Sequence, residues 1–416
     1  MKRTELFTRT EKSIGRDIVS KNAELLTRAG YVDQLMAGVY TYMPLGLRVL
    51  RNIENIVRRH MNELGSSEVL MPALHPKAIW ETTGGWDNID VLFKIKSRTN
   101  NEYALGQSEE EVVTPLVINR APSYKHLPVS VYQIHWKYRD ELRAKSGIMR
   151  GREFFMKDMY SFHTSQEDFD RYYQLVKNDY LNIFAELGLT AKVTEASGGS
   201  FSEKVSYEFE VLTDAGEDVV YYCEACDFCV EDEIAKVKPG DDCPRCGKGV
   251  LKEAKSAEVG NVFDLGQKYG KDFDLGYIDE HGKKQFPIMG CYGIGISRVM
   301  GVIAEKYHDE KGLVWPESVA PYRYHIVMLP DEQNRAAAQK VYDALGADNC
   351  LWDDRDEVSA GERFADADLM GCPVQIVVSR KTLEEGSVEV VSRSGKFDKF
   401  MCKLDELNMI VERSQS

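Results

Sequence analysis

The stretch Tyr138 to Phe162, YRDELRAKSGIMRGREFFMKDMYSF, carries Arg139, Glu141, Arg150, Arg152 and Glu153 within fifteen positions. Phe154 and Phe155 follow directly, and a polar loop, Lys145 to Gly147, sits in between. Aromatic and apolar residues dominate the runs Val131 to Leu142 and Ile148 to Phe162, so the segment reads as two extended arms of an antiparallel hairpin. So many charges do not suit a core. Guanidinium forks match phosphate oxygens bidentately and an aromatic ring stacks on a base, so the hairpin suits a nucleotide. A salt-bridged surface hairpin with no ligand fits the same residues.

A second stretch weighs toward the nucleotide. In GCYGIGISRVMGVIAEKY, Gly290 to Tyr307, three glycines allow a strand and a helix start to approach something closely, and Arg298 lies in the first turns of an apolar helix. With YRDE upstream, the pair resembles motifs 2 and 3 of class II aminoacyl-tRNA synthetases. Further words occur in the same order: WETTGGWDN, LGQSEEEVVTPL, SYEFEV, EVGNVFDLGQKY, GLVWPESVAP and DDRDEVSAGERFADADLMGCP. They narrow the resemblance to the bacterial-type prolyl-tRNA synthetases and extend it over almost the whole chain.

That resemblance implies an α+β fold: an antiparallel-sheet catalytic core over residues 1–318, followed by an α/β anticodon-binding domain over 319–416. Motif 1 would span about 47–76, motif 2 about 131–162 and motif 3 about 290–307. It implies an ATP site of Arg139, Glu141, Arg150 or Arg152, Phe154, Glu258, Asn261 and Arg298, with Arg139 and Arg298 as catalytic cations and magnesium accompanying the ATP. It implies a proline pocket of Ser108, Glu110, Arg139, Met156, Asp158, Tyr160 and Cys291, and anticodon readers Arg355, Glu362 and Phe364. Ser108 stands where the family has Thr, and Tyr207 in SYEF where it has His. The residues allow plainer readings too. Ser108 followed by Glu111 fits a helix capping box, and Cys291 fits a buried structural thiol.

The resemblance gives L-proline, ATP and the tRNA for proline as partners. A paralogue turned to binding would typically have lost the motif 2 or 3 arginines, and a tRNA-independent ligase should lack the C-terminal domain.

Residues Leu47, Val49, Leu50, Ile53, Ile56, Val57, Met61 and Leu64 recur at helical spacing up to Gly65, which predicts an amphipathic helix followed by an extended run, Glu68 to Met71. The family uses this unit as its homodimer interface. From Val319 onward strands and helices alternate, including a helix over Glu332 to Leu345 and another near Arg363 to Met370.

The 416 residues, 43% hydrophobic, allow two or three domains with a sizeable core. No apolar run would cross a bilayer, and the N-terminus lacks the apolar segment of a secretory signal, which points to the cytoplasm. A net charge of −14 requires any tRNA contact to use local basic patches. Nine cysteines in such a chain point to metal or free thiols. Cys223-x-x-Cys226 and Cys243-x-x-Cys246, sixteen residues apart with Pro239 and Gly240 between, predict a four-cysteine structural zinc ribbon over 219–252, with Cys229 as an alternative ligand. This ribbon fills the interval where many relatives insert an editing domain.

Overall fold

The computed structural model describes residues 1–15, 20–198 and 204–415. Within these the chain forms two compact units, one of residues 36–39 and 53–302 and the other of residues 1–35, 40–52 and 303–416.

The larger unit is built on a nine-stranded, mainly antiparallel sheet. Its centre is the pair Val129–Tyr138 and Glu153–His163, in register from Val129 opposite Phe162 to Tyr138 opposite Glu153. The strands are shorter at the turn than the sequence predicts. Past Tyr138 the backbone leaves the ladder, Ser146 takes a left-handed φ of 61°, and Gly147–Met149 winds into a 3-10 turn. Charged Arg139 to Arg143 cannot all be satisfied on a paired strand, and the break releases them. Strand Ile288–Ile294 pairs with Glu153–His163 on the far side. The long strand Lys252–Gly266 pairs with Ile288–Ile294, and its other edge takes Asp218–Tyr222 along its first residues and Ser206–Leu212 further on. At Gly293 an added Cβ would lie 2.5 Å from the Met156 side chain and 2.6 Å from Asn261 Oδ1, so the close approach of these strands requires glycine.

One face of the sheet is closed by the helix Gln166–Glu186, whose N-cap Ser165 accepts from the Asp168 amide at 3.2 Å. Its inward side buries Phe169, Val176, Tyr180, Ile183 and Phe184, each worth about 1.5–3 kcal/mol of transfer free energy. Tyr180 lies 5.0 Å from Phe209, ring to ring. Strand alternation therefore sends Tyr207 and Phe209 to the helix side and Glu208 and Glu210 to the opposite face. The helix of motif 1 is observed as Pro44–Glu63. It begins three residues earlier than the apolar spacing suggests because Pro44 suits a first helical position, and it stops before Gly65, whose φ is +75°. Of the extended run expected over Glu68 to Met71 only Glu68 lies in a strand, the short Ser67–Glu68, which pairs parallel to Val131 and Tyr132.

The smaller unit contains a five-stranded sheet in the order Cys350–Asp353, Tyr324–Met328, Val374–Val378, Ser387–Ser392, Phe400–Lys403. The first three strands are parallel and the last two antiparallel. Helix Glu332–Leu345 has the predicted bounds. Helix Ala360–Met370 starts earlier than expected, because Ser359 caps it by accepting from the Glu362 amide. The chain's first residues also lie in this unit. The Met1 ammonium donates to the Cys350 carbonyl at 2.9 Å, and Thr4 Oγ1 donates to Asp354 at 2.6 Å. No helix among the described residues is long and apolar enough to cross a membrane.

Candidate active site and four-cysteine centre

The sheet face opposite Gln166–Glu186 holds a cavity of about 180 Å³, lined among others by Arg139, Glu141, Arg150, Glu217, Asp218 and Arg298. Two elements position its cations. Arg139 leaves the end of Val129–Tyr138, fixed by its amide donating to the Arg152 carbonyl at 2.8 Å. Arg298 sits in helix Ile296–Lys306 directly after the glycine strand.

The two arginines differ in their partners. Arg298 donates from Nε to the Met149 carbonyl at 2.9 Å, and from Nη1 to the carbonyl of Glu258 at 3.0 Å and its carboxylate at 2.5 Å. Burial would lift the Glu258 carboxyl, but Arg298, with Arg139 and the Asn261 amide, holds it below the usual carboxylate range. Arg139 forms no ion pair among the described residues, its Nε has no hydrogen-bond partner, and its guanidinium stands 5.1 Å over the Phe154 ring. Burial and the neighbouring Arg298 both weigh against its charge. Carboxylates of Glu258, Glu141 and Glu110 favour it from a distance, and a half-buried cation with no ion pair of its own can take an anion.

Arg150 lines the cavity and is held by Glu141 at 3.0 Å and Glu217 at 2.6 Å. Arg152 instead donates to the carbonyls of Glu141 at 3.0 Å and Ala37 at 2.8 Å, so it fastens the loop. Asn261 donates to Glu258 at 2.7 Å.

Met156, Asp158 and Tyr160 point to this face together with Phe154, as their alternation predicts. Tyr160 donates to Asp158 at 3.1 Å, accepts from the Glu109 amide at 3.0 Å and lies 3.4 Å from the Ser108 hydroxyl. Cys291 is buried opposite Tyr160 in the next strand. Glu110 is fully buried and, among the described residues, neither carboxylate oxygen has a hydrogen-bond partner of good geometry. Burial lifts this carboxyl above its ordinary range, with Ser108 and Cys291 opposing the shift. The capping box expected at Ser108 does not form. The N-cap position of helix Glu110–Ile118 is Glu109, without a side-chain cap, and Glu111 is used elsewhere, accepting from the Thr83 hydroxyl at 2.9 Å.

The cysteines of the ribbon meet. Sγ atoms of Cys223, Cys226, Cys243 and Cys246 all lie within 4.8 Å of one another, with Cys223 to Cys246 at 3.8 Å and Cys226 to Cys243 at 3.6 Å. Thiolates about 2.3 Å from a tetrahedral zinc would be separated by about 3.8 Å, so the donor set fits the metal. Cys229 is not part of the cluster. It is buried on strand Cys229–Glu231 and accepts from the Thr194 hydroxyl at 3.2 Å, so the alternative ligand set drops out.

The class II core domain of the tRNA synthetases for G, H, P, S and T matches residues 93–307, and the anticodon binding domain matches residues 319–413. The proline–tRNA ligase of Ehrlichia canis (strain Jake) is 38% identical over 422 residues, covering 98% of each chain. The chain belongs to the bacterial-type prolyl-tRNA synthetases. The corresponding ligase of Wolbachia sp. subsp. Drosophila simulans (strain wRi) is 40% identical across 94% of each chain. That of Thermosipho africanus is 33% identical, but its alignment runs to 545 residues, longer than the present chain, so that synthetase carries inserted sequence. Among solved structures, the prolyl-tRNA synthetase of Cryptosporidium parvum with L-proline and AMP superposes with a TM-score of 0.75 at 16% identity, covering 95% of this chain and 78% of its own.

Sequence reading passed over a layer of support beneath the prolyl-tRNA synthetase pocket. Lys137, fully buried, pairs with Asp158 at 3.0 Å and Glu109 at 3.2 Å, and His75 meets Glu109 at 3.0 Å. Gln133 donates to Asp158 at 3.2 Å. The signal was present: Gln133, His135 and Lys137 alternate with Arg139, so period two puts them on the same face. Glu217, the partner of Arg150, lies far along the chain and gave no such signal.

In the smaller unit, Arg355 is held by Asp353 at 2.6 Å and Asp366 at 2.8 Å. Glu362 is exposed and lines a cavity of about 670 Å³ with Lys12, Arg28 and Lys311. Phe364, half-buried, does not line it.

Proposed function

We propose that this synthetase ligates L-proline to its tRNA with Arg139 and Arg298 as the catalytic cations and Glu110 as the seat of the proline ammonium. The observation that carries the reading is that, among the described residues, Arg139 forms no ion pair and its Nε has no hydrogen-bond partner, while the buried Glu110 oxygens have none either. A substrate bearing an ammonium at one end and reacting at a phosphate at the other satisfies both. Ser108, Met156, Asp158, Tyr160 and Cys291 would shape the pocket. Phe154 would stack on adenine, Glu141 would accept from its amine, and Glu258 with Asn261 would face the ribose and phosphates. Of the two loop arginines, Arg150 is the phosphate ligand, since Arg152 spends its donors on backbone carbonyls.

The proline carboxylate attacks the α-phosphorus in line and pyrophosphate leaves. A terminal ribose hydroxyl of the tRNA then takes the prolyl group, releasing AMP. Neither step needs a covalent enzyme intermediate, so catalysis is positioning plus stabilisation of charge on the phosphoryl oxygens. Asp218 and Glu217, carboxylates on the cavity wall, would hold the magnesium, which neutralises phosphate charge when bound.

Zinc at the four cysteines would close the ribbon as a structural site. We read residues 1–318 as the catalytic region with the 219–252 insert, and 319–416 as the anticodon-binding region, with Glu362 beside Lys12, Arg28 and Lys311 favoured over the ion-paired Arg355 and over Phe364 as a base contact. Exposed Leu70 and Leu74, next to the motif 1 helix, support a homodimer there. All nine cysteines are free of disulfides, which supports the cytoplasm as the compartment.

The test is amino-acid-dependent exchange of pyrophosphate into ATP across the twenty amino acids. Proline should drive it best by a wide margin. Equal or better exchange with another amino acid would overturn the assignment.

A further inference from the structure

Beside the site described above, three carboxylates converge, and among the described residues none of them forms an ion pair, although Arg298 acts on Glu210 from a distance. Glu208 and Glu210, two apart on strand Ser206–Leu212, share the face opposite the helix, and Glu231 reaches them from strand Cys229–Glu231. One oxygen of each lies within 4.8 Å of the others. Glu210 is fully buried and, among the described residues, neither of its oxygens has a hydrogen-bond partner of good geometry. Its principal electrostatic neighbours are further carboxylates, Asp218 and Glu258, and the Ser256 hydroxyl. Glu208 and Glu231 are partly exposed, which leaves a path from solvent.

Gathering three carboxylates out of water without compensation costs several kcal/mol per charge. The arrangement therefore calls for protons or for a bound cation. An all-oxygen donor set excludes a preference for soft metals and suits magnesium, manganese or calcium. Two oxygens that share one hard cation at about 2.0–2.6 Å lie at most about 4.0–5.2 Å apart, and these three lie within 4.8 Å of one another; water would complete the shell.

We propose that Glu208, Glu210 and Glu231 hold a hard divalent cation, magnesium or manganese, that binds without nucleotide and is separate from the metal accompanying ATP. None of the three lines the cavity of Arg139 and Arg298. Glu258, the neighbouring carboxylate on the phosphate side, is already committed to Arg298 and Asn261. A cation at the three glutamates offsets their repulsion on Glu258 and so supports the Glu258–Arg298 pair.

The experiment is a manganese titration of the full-length chain without nucleotide, followed by electron paramagnetic resonance of free Mn²⁺. One Mn²⁺ per chain is expected, displaced by excess magnesium. Glu208→Gln and Glu210→Gln should each weaken it at least tenfold, while Glu217→Gln, on the cavity wall, leaves it in place. In parallel, magnesium should raise the melting temperature of the wild-type chain and not of Glu210→Gln. Absence of Mn²⁺ binding below millimolar concentration, or binding that survives Glu210→Gln, overturns the proposal. So does a wild-type melting temperature indifferent to magnesium with a more stable Glu210→Gln, the result that shared protons would give.

Discussion

Arg298 Nη1 lies 2.5 Å from the Glu258 carboxylate, whereas Arg139, on the same cavity, has no carboxylate partner among the described residues. One cation is aimed by a fixed counter-ion and the other, on the reading proposed above, is left for substrate. The two should therefore fail differently when removed.

Arg139→Ala and Arg298→Ala should each lower proline-dependent pyrophosphate exchange by about 10²–10³, the usual cost of losing one donor to developing charge. Arg298→Ala should also destabilise the fold by about 1–3 kcal/mol, because it takes the counter-ion from a half-buried carboxylate. Arg139→Ala should be as stable as wild type or more so. Denaturant melts beside exchange assays separate the effects. Near-normal exchange in either variant would remove it from the catalytic set.

Stability should fall as pH rises above the ordinary carboxylate range. Burial pushes Glu111 up to about 8, with Glu110 adding to the shift, and burial also lifts Glu110 itself. A carboxyl whose folded pKa exceeds its unfolded value binds more protons in the folded state. Its contribution is thus present below the unfolded value of 4.5 and lost progressively up to about 8. The slope is at most about 1.4 kcal/mol per pH unit for each group. Glu111→Gln should flatten the pH 5 to 8 profile measured by urea melts. An unchanged slope would mean that Glu111 is already ionised in the folded chain.

Protein purified without chelator should contain one zinc per chain by elemental analysis. Cys243→Ser should lose it, and Cys229→Ser, whose thiol faces Thr194, should retain it. Zinc loss in Cys229→Ser would restore that thiol to the ligand set.

Alanine should be activated measurably. It enters a proline pocket freely and forfeits only about 1–3 kcal/mol of burial. Between Glu210 and Glu258 the chain folds into the ribbon and its flanking strands, so the usual editing insertion has no place here. Alanyl-tRNA of the proline isoacceptor should accordingly survive incubation with the enzyme, and deacylation well above the buffer rate would show that some other surface edits.

The local order of residues determined much of this. Period-two alternation placed Met156, Asp158 and Tyr160 on one face, the Cys-x-x-Cys pairs announced the ribbon, and the apolar spacing after Leu47 announced its helix. These are short-range properties, written into neighbouring positions by backbone geometry. Tertiary structure decided which charges are met and which are left open. Arg150 finds Glu217 and Arg298 finds Glu258 across long stretches of chain, and Cys229 turns to Thr194 instead of its neighbouring thiols. Glu110 and Glu210 end without an ion pair among the described residues, although each has other carboxylates beside it in sequence. Whether a charge is compensated depends on what folding brings within a few ångströms of it and on how much water it excludes, and neither is a property of the adjacent sequence.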